Sequence, residues 1–393
     1  MTEVFVVSAC RTPIGSFGGA LKDVGAVDLA TVVVKEALSR AGVAPDTVDE
    51  VILGCVLAAG LGQNVARQVE LAAGIPVSVP AMTINMLCGS GMKAVVEGAR
   101  VIRAGDADII VAGGTESMSG ATYVSAGTRW GARMGDTALV DTMLRDGLID
   151  VFHNYHMGIT AENVADQWGI DRQTMDELAL RSEQRALAAI AAGRFHDEIV
   201  PVTVKLRKSE VVVDTDEFPR ETSLEILGKL RPAFKPDGGR VTAGNASGIN
   251  DGAAAVVIAS GQAVEKYGLT PLFKLIGYGQ VGVDPTIMGV GPIGASRKAL
   301  EMAGLTVADM DLYEANEAFA AQAQAVTNDL GLDIDKLNVN GGAIALGHPI
   351  GASGARIIVT LLYEMLKRQD AHKGLATLCV GGGMGVATVY EKC

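Results

Sequence analysis

The strongest constraint on the fold is an internal duplication. Residues 41–49 and 303–311 share an Ala-Gly start, a hydrophobic third position and a final Asp. Downstream of each segment a glycine-rich turn opens a helix, and a hydrophobic strand then ends in Gly113-Gly114 or Gly381-Gly382. A repeat of this length indicates a duplicated domain rather than a solenoid of small units.

The repeated strands indicate the fold class. Residues 108–112 and 376–380 are mostly hydrophobic, which is typical of central strands that helices cover on both faces. Residues 28–40 have apolar side chains at helical spacing, with Asp28 as the predicted N-cap and Gly42 as the predicted C-cap. Strands that alternate with amphipathic helices predict an α/β protein.

A long insertion, roughly residues 118–247, separates the two copies. It contains an amphipathic helix predicted over about 171–192, with Asp171 as N-cap and Gly193 as C-cap, and a short hairpin predicted over 201–214. Insertions on rigid α/β scaffolds often carry substrate specificity. We therefore expect binding residues in this segment.

Composition and charge exclude several classes of function. A net charge of −12 and a pI near 5.0 argue against general binding to nucleic acids or anionic membranes. The five cysteines show no C-x-x-C spacing, so neither a disulfide framework nor a structural zinc site is expected. No apolar run reaches membrane-spanning length, and the chain enters a strand pattern without a basic leader. We therefore expect a cytoplasmic protein.

Cys88 is the first candidate nucleophile. It follows a strand-like segment, residues 82–85, and precedes a helix that begins within 89–94. Helix amino termini carry unpaired N–H groups and a partial positive charge, and both lower the pKa of a thiol. The alternative is a small hydrophobic side chain packed at a turn, which is the commoner role of a free cysteine.

Two further residues are candidates for acid–base chemistry. His348 lies in a Gly- and Pro-flanked loop, where functional residues are over-represented, although it could equally be a structural histidine. Cys379 lies inside an apolar strand, which favours a packing role. The three glycines at 381–383 alter that interpretation, because such a run costs conformational entropy unless the backbone must closely approach another group.

Two further motifs have structural interpretations that compete with a functional role. Asn316 and Glu317 could cap a helix predicted over 318–326. Residues 289–294 match the dinucleotide-binding pattern G-x-G-x-x-G, but a poor strand precedes them and a proline interrupts them. We interpret them as a loop that leads into a helix over 296–303.

Together, five motifs resemble the thiolase family, and they occur in order along essentially the whole chain. They are Asn85-x-x-Cys88-x-Ser-Gly, Gly113-Gly-x-Glu116-x-Met-Ser119, Asn316-Glu-Ala-Phe319, Asn340-Gly-Gly-Ala-Ile-Ala-x-Gly-His348-Pro-x-Gly and Cys379-x-Gly-Gly-Gly. The resemblance is closest to bacterial biosynthetic thiolases, that is, acetyl-CoA C-acetyltransferases. Residues 155–158, Tyr-His-Met-Gly, favour that subclass over the long-chain degradative one.

The resemblance implies a specific architecture. Two thiolase-like domains, each with a mixed five-stranded sheet, would form αβαβα layers with a loop domain inserted between them. The implied domains are residues 1–118 plus about 248–270, residues 119–247 for the loop domain, and residues 271–393. Family members are commonly tetramers of two tight dimers, and residues 120–133 would form the tetramerisation loop. A homotetramer is therefore expected.

The resemblance also implies a mechanism. Cys88 would take an acetyl group from acetyl-CoA with His348 as base, and Cys379 would then remove a proton from a second acetyl-CoA to form acetoacetyl-CoA and CoA. The enolate oxygen would be held by His348 and by a water bound to Asn316. The tetrahedral intermediate would be held by the N–H groups of Cys88 and Gly381. No metal ion or redox cofactor is implied.

By the same resemblance, nine residues would contact coenzyme A: Leu148, His156, Met157, Arg220, Ala243, Ser247, Met288, Ala318 and Phe319. Several of them are apolar, as the pantetheine arm requires, and Arg220 suits the nucleotide end. The alternative for the Met and Leu positions is a plain core role. Met288 could shorten the acyl pocket and favour acetyl groups.

Several other functions compete with this prediction. A 3-ketoacyl-CoA thiolase of broader chain length and a non-catalytic acyl-CoA-binding homologue are the main alternatives. A ketoacyl synthase would need a histidine where Cys379 stands, and a hydroxymethylglutaryl-CoA synthase would need a different acid–base set. A Cys88–Cys379 disulfide that inactivates the enzyme under oxidation is a further hypothesis; unchanged free-thiol counts after oxidative loss of activity would contradict it.

Overall fold

The computed structural model describes residues 2–393. Its strands are β1 Val4–Arg11, β2 Gly15–Ser16, β3 Glu50–Gly54, β4 Ala81–Ile84, β5 Ile109–Ser117, β6 Tyr123–Val124, β7 Val140–Asp141, β8 Ile149–Asp150, β9 Tyr155–His156, β10 Val202–Lys205, β11 Glu210–Val213, β12 Asn250–Ser260, β13 Phe273–Gly282, β14 Leu312–Ala315, β15 Lys373–Val380 and β16 Met384–Lys392. Its α-helices are α1 Ala26–Ala41, α2 Val65–Ala72, α3 Ser90–Ala104, α4 Met157–Gln167, α5 Arg172–Ala191, α6 Leu224–Gly228, α7 Gly261–Tyr267, α8 Gly291–Ala303, α9 Ala320–Leu330, α10 Ala343–Leu346 and α11 Ile350–Lys367.

The duplication is visible in the order of the strands. The first half runs β4-β3-β5-β12-β1 and the second runs β14-β15-β16-β13, so four strands correspond in the same sequence. The second half has only an isolated parallel bridge, Tyr313 to Leu337, where the first has β4. The two predicted sheets meet edge to edge through two residue pairs of β1 and β13, and β2 extends β12, which makes one ten-stranded sheet.

The elements form the predicted αβαβα layers. Helices α1 and α2 share a core with the outer face of the first half, and α8 and α9 share one with the outer face of the second. Helices α3 and α11 pack between the two halves. They cross closely, because an added Cβ on Gly91 would lie 2.8 Å from Ala355 N, and one on Gly354 would lie 2.5 Å from Met92 N.

The inserted segment contains the predicted helix and hairpin. Helix α5 begins after Asp171, whose side chain accepts from Thr174 N as an N-cap, and Gly193 follows it in the left-handed conformation. Strands β10 and β11 pair antiparallel as the predicted hairpin. After the insertion, β12 returns to pair with β1 and β5, which supports the proposed division into three domains.

Three predicted helix starts were wrong. Helix α1 begins at Ala26, so Asp28 lies in its first turn and is not its N-cap; Gly42 does end it in the left-handed conformation. Helix α8 begins at Gly291 rather than 296, because a proline at the first turn of a helix loses no hydrogen bond. Helix α9 begins at Ala320, so the residues at 316 and 317 do not cap it.

Residues 2–393 contain neither a membrane-spanning helix nor a cluster of metal-binding side chains. None of the helices in this part of the chain is long and apolar enough to cross a membrane. Within the same residues, no group of three or more His, Cys, Asp or Glu side chains is arranged to hold a metal ion.

Candidate active site

A constrained turn presents Cys88 at the amino terminus of α3. The preceding residue, Leu87, has a φ of 45°, which is uncommon for a residue with a side chain. Ser90 fixes the turn: its Oγ donates to Leu87 O at 2.6 Å and accepts from Met86 N at 2.8 Å. Cys88 is therefore held beside the start of a helix, as predicted, and the residue is partly buried.

The expectation of a lowered thiol pKa for Cys88 was wrong. Burial raises the pKa of Cys88 to about 11, although the backbone N–H groups of Gly381 and of Cys88 itself point at the sulfur and lower it. Tertiary burial therefore outweighs the local helix terminus. The resting nucleophile is a thiol and needs a base.

His348 is the predicted base, and it lines the same cavity as Cys88. Its Nδ1 lies 2.5 Å from Ser353 Oγ, and Ser353 Oγ donates its own hydrogen to Pro349 O at 2.8 Å. The proton between the two side chains therefore belongs to Nδ1, which leaves the Nε2 lone pair free. The Nε2 atom is buried and has no partner among residues 2–393. Asn250 Oδ1 accepts from the backbone N–H of His348 at 2.9 Å and fixes the loop.

The electrostatic environment keeps His348 neutral. Burial, followed by the positive charge of Arg356 further along α11, lowers the pKa of His348 to about 3. A neutral imidazole with a free Nε2 can accept a proton and then donate it back.

Cys379 is the penultimate residue of β15, and only Val380 separates it from the three glycines. It is fully buried, and burial, followed by the nearby charge of Cys88, raises the pKa of its thiol. The glycines allow a tight backbone contact: Gly382 and Gly383 have φ of 79° and 87°, and an added Cβ on Gly383 would lie 2.7 Å from Pro285 N. The run is needed for backbone geometry beside Cys379, as its sequence suggested.

Asn316 lies beside the same strand end. Its backbone N–H donates to Thr377 O at 3.0 Å, and β14 runs parallel to β15 with Ala315 opposite Thr377. The side chain of Asn316 is 2% exposed, and neither its Oδ1 nor its Nδ2 has a partner within the described part of the chain. A buried amide with free donor and acceptor capacity suits a polar group of a substrate or a bound water.

A cavity of about 670 Å³ opens onto these groups. All nine predicted CoA residues line it: Leu148, His156, Met157, Arg220, Ala243, Ser247, Met288, Ala318 and Phe319. Cys88, His348 and Gly381 also line it, whereas Cys379 and Asn316 are not among the residues that line it. The structure thus brings residues from both halves and from the insertion to one site.

Sequence reasoning missed much of the cavity wall in the insertion. Phe234 stacks on the ring of His156 at 4.4 Å and meets Phe319 edge-on at 6.3 Å. Phe218 also lines the cavity, below the guanidinium of Arg220 at 5.1 Å. The three phenylalanines are far apart in the chain, so no local pattern predicted that they would converge.

Glu116 belongs to one of the recognised motifs but had no predicted role. Its buried carboxylate accepts backbone N–H groups from Val56 at 3.1 Å, Leu57 at 3.0 Å and Gly351 at 2.9 Å. Burial raises the pKa of Glu116 to about 7. The carboxylate therefore joins the loop after β3 to the first turn of α11, next to Cys88 and His348.

Comparisons with known proteins agree with this geometry. The family model of the thiolase N-terminal domain matches residues 4–262, and that of the C-terminal domain matches residues 269–392. The acetyl-CoA acetyltransferase of Syntrophomonas wolfei is 59% identical over 99% of both chains, and that of Cupriavidus necator is 58% identical over 100% of both.

Solved structures agree as well. The Bacillus anthracis acetyl-CoA acetyltransferase has a TM-score of 0.97 at 49% identity, covering 100% of this chain and 99% of that one. The human mitochondrial 3-ketoacyl-CoA thiolase in complex with CoA has a TM-score of 0.95 at 48% identity, covering 100% of this chain and 98% of that one. On its sequence, fold and site, the chain belongs to the thiolase family.

Proposed function

We propose that the protein is an acetyl-CoA C-acetyltransferase, which condenses two acetyl-CoA molecules to acetoacetyl-CoA and CoA and runs reversibly. The arrangement at Cys88 is the observation that carries this proposal. A nucleophilic sulfur, two backbone N–H donors and a neutral histidine meet at the end of a largely apolar cavity. The relatives named acetyl-CoA acetyltransferase support the same activity.

In the first half-reaction Cys88 acquires the acetyl group. His348 Nε2 takes the thiol proton, and the sulfur attacks the thioester carbonyl of acetyl-CoA. The backbone N–H groups of Cys88 and Gly381, which both lower the pKa of the Cys88 thiol, would hold the oxyanion that forms. The bond from the carbonyl carbon to the CoA sulfur then breaks, and acetyl-Cys88 remains.

In the second half-reaction Cys379 forms the carbanion. Its pKa is raised, so proton balance requires the departing CoA thiolate to take the Cys379 proton first. The Cys379 thiolate then removes a methyl proton from the second acetyl-CoA, and the carbanion attacks acetyl-Cys88. Protonated His348 and Asn316 hold the enolate oxygen. When Cys88 leaves, it recovers its proton from His348, which restores the starting state.

The cavity suits coenzyme A as the carrier. Its apolar wall fits the pantetheine arm, and Arg220 at its rim fits the nucleotide phosphates. The thioester itself activates the carbonyl, so the proposed reaction needs no metal ion or redox cofactor. We also propose a cytoplasmic location, which the bacterial relatives support.

The surface supports the proposed homotetramer, a dimer of dimers. Strand β4 is an outermost strand of the sheet, and Met82 on it is 40% exposed beside the Cys88 turn. Within the proposed tetramerisation loop and just after it, Trp130 and Met134 are 83% and 97% exposed. Apolar surface of this kind is typical of a subunit interface. Light scattering should return four chains; a mass of one or two chains would contradict the proposal.

The second candidate function differs from the first in the length of the acyl chain of the substrate. The human neighbour named 3-ketoacyl-CoA thiolase is nearly as similar in structure as the acetyltransferase neighbour. Met288 lines the cavity and is 3% exposed. Met288→Ala should raise kcat/KM for longer 3-ketoacyl-CoA substrates relative to acetoacetyl-CoA by about tenfold, because one to two methylene groups of space are worth 1–3 kcal/mol. Unchanged preference would remove Met288 as the determinant.

The direct test is thiolysis of acetoacetyl-CoA, followed by the loss of its absorbance. Wild-type protein should be active, and Cys88→Ser and Cys379→Ser should each lose nearly all activity. An inactive wild type that still binds CoA would favour the non-catalytic acyl-CoA-binding alternative. Activity retained in Cys379→Ser would contradict the two-cysteine mechanism.

A further inference from the structure

One side chain holds the segment that carries Asn316. Asn338 donates from Nδ2 to Ala315 O at 2.8 Å and to Glu317 Oε1 at 3.0 Å, and its Oδ1 accepts from Ala315 N at 2.9 Å. Both amide hydrogens and the carbonyl oxygen are thus in use. Asn338 therefore fixes both chain neighbours of Asn316.

The backbone of Asn338 is itself constrained. The residue is 4% exposed, and its φ is 44°, in the left-handed region that asparagine tolerates better than most residues. Its N–H donates to Tyr313 O at 2.9 Å, next to the isolated bridge between Tyr313 and Leu337. The side chain thus continues the pairing along β14 beyond the point where the backbone pairing ends.

Glu317 connects this contact to the loop domain and to the turn before His348. Its Oε2 accepts from Ser182 Oγ of α5 at 2.6 Å, and Ser182 Oγ accepts from Gly342 N at 2.9 Å. A Cβ on Gly342 would overlap the Glu317 carboxylate, so the contact requires glycine there. We call Asn338, Glu317 and Ser182 the carboxamide clamp.

We propose that Asn338, acting through Ala315 and Glu317, is the positioning residue that places the Asn316 amide for the carbon–carbon bond step. This inference rests on the proposed acetyl-CoA C-acetyltransferase function and deepens it. Asn316 acts at the enolate oxygen, which exists only when the carbon–carbon bond forms or breaks. Transfer of an acetyl group between CoA and Cys88 has no enolate. Loss of the clamp should therefore slow one half-reaction and spare the other.

The first variant is Asn338→Gly, which keeps the left-handed backbone and removes the three side-chain hydrogen bonds. Two rates are measured: exchange of labelled CoA into acetyl-CoA, and thiolysis of acetoacetyl-CoA. We expect kcat for thiolysis to fall about 10- to 100-fold, since a 1 Å misplacement at a reacting group costs that much. Exchange and both KM values should stay within about threefold of wild type. Asn316→Ala should give the same pattern.

Exchanging the charges of residues 338 and 317 distinguishes a positioning role of Asn338 from a general packing role. Asn338→Asp sets a carboxylate against Glu317 and should show a larger loss of thiolysis. The double variant Asn338→Asp with Glu317→Gln restores a donor–acceptor pair at the same place. We expect thiolysis to recover by about tenfold over Asn338→Asp, as coupled neighbours do.

Asn340→Asp is the matched control. Asn340 is also buried, and its Nδ2 donates to Glu364 Oε2 at 2.8 Å. This variant makes the same change of charge against a glutamate but touches neither Ala315 nor Glu317. It should lower the melting temperature and leave the ratio of exchange to thiolysis at the wild-type value.

The outcomes are distinct. Three results would each overturn the positioning role. The first is an equal loss of exchange and thiolysis in Asn338→Gly, and the second is wild-type thiolysis in that variant. The third is no recovery of thiolysis in the double variant. If Asn338→Gly does not fold, the positioning role is tested by comparing Asn338→Asp, Glu317→Gln and the double variant. Failure of all three to fold would count against a role that is specific to one step. A wild type that performs neither reaction would overturn the proposed function instead.

Discussion

The two halves of the molecule use the same unit, a strand position followed by a turn and a helix, for different chemistry. In the first half β4 leads through Cys88 into α3. In the second, the segment at Leu337 leads through His348 into α11. The first unit lies at an outer edge of the sheet, and its Met82 is 40% exposed; in the second, Asn338 and Asn340 are only 4% and 7% exposed.

This difference distinguishes a partly buried nucleophile in one half from fully covered acid–base groups in the other. The half with the open edge carries the partly buried Cys88, whereas the covered half carries the buried His348 and Cys379, whose proposed proton transfers need a site shielded from water. The helices α3 and α11 that follow these two turns pack closely where they cross. One copy thus carries a thiol before its helix, and the other carries an imidazole.

The largest expected effect concerns the second half. His348→Asn removes both the base for Cys88 and one donor to the enolate, so kcat for thiolysis should fall by about 10³-fold or more. Ser353→Ala keeps the imidazole but removes the partner of Nδ1 and the hydrogen bond to Pro349 O, and it should cost about tenfold through the wrong tautomer. Equal losses of kcat in the two variants would contradict the assignment of His348 as the base and Ser353 as the residue that orients it. Steady-state kinetics on acetoacetyl-CoA measures both.

The helix crossing tests whether the halves are structurally equivalent. Gly91→Ala and Gly354→Ala each force a methyl group against the backbone of the other helix, so each should lower the free energy of unfolding by about 1–3 kcal/mol. Gly228→Ala is the control, since an added Cβ there meets no atom within 4 Å. Urea denaturation measures all three. A cost in only one of the two crossing variants would show that the crossing is not symmetric.

The last prediction concerns the pH dependence of Cys88 reactivity and changes no residue. With its pKa raised to about 11, the thiolate fraction should rise about tenfold for each pH unit below that value. Alkylation of Cys88 by iodoacetamide should therefore accelerate from about pH 7 to pH 9 without a plateau, while fully buried Cys379 stays unmodified. A plateau near neutral pH would show that the helix terminus, not burial, dominates the thiol. Mass spectrometry of the labelled peptides measures both sites.

The sequence predicted the duplication and the catalytic candidates because they depend on local patterns and motif order, whereas the cavity residues were expected only from the resemblance to the thiolase family. It failed where tertiary contacts decide. The pKa of Cys88 was expected to fall, but burial raises it. Ser353 and Asn338, which orient His348 and the segment of Asn316, act through contacts that no periodicity reveals. Asp28 resembled an N-cap, but the helix begins two residues earlier.

The most direct test of the division between the two halves is the intact mass of Cys379→Ser after incubation with acetyl-CoA. We predict that this variant gains one acetyl group on Cys88 and holds it, because acetyl transfer needs Cys88 and His348 but the following proton removal needs Cys379. The matched Cys88→Ser sample should gain no stable acetyl group at that site. An unmodified Cys379→Ser protein that is folded and binds CoA would contradict the account.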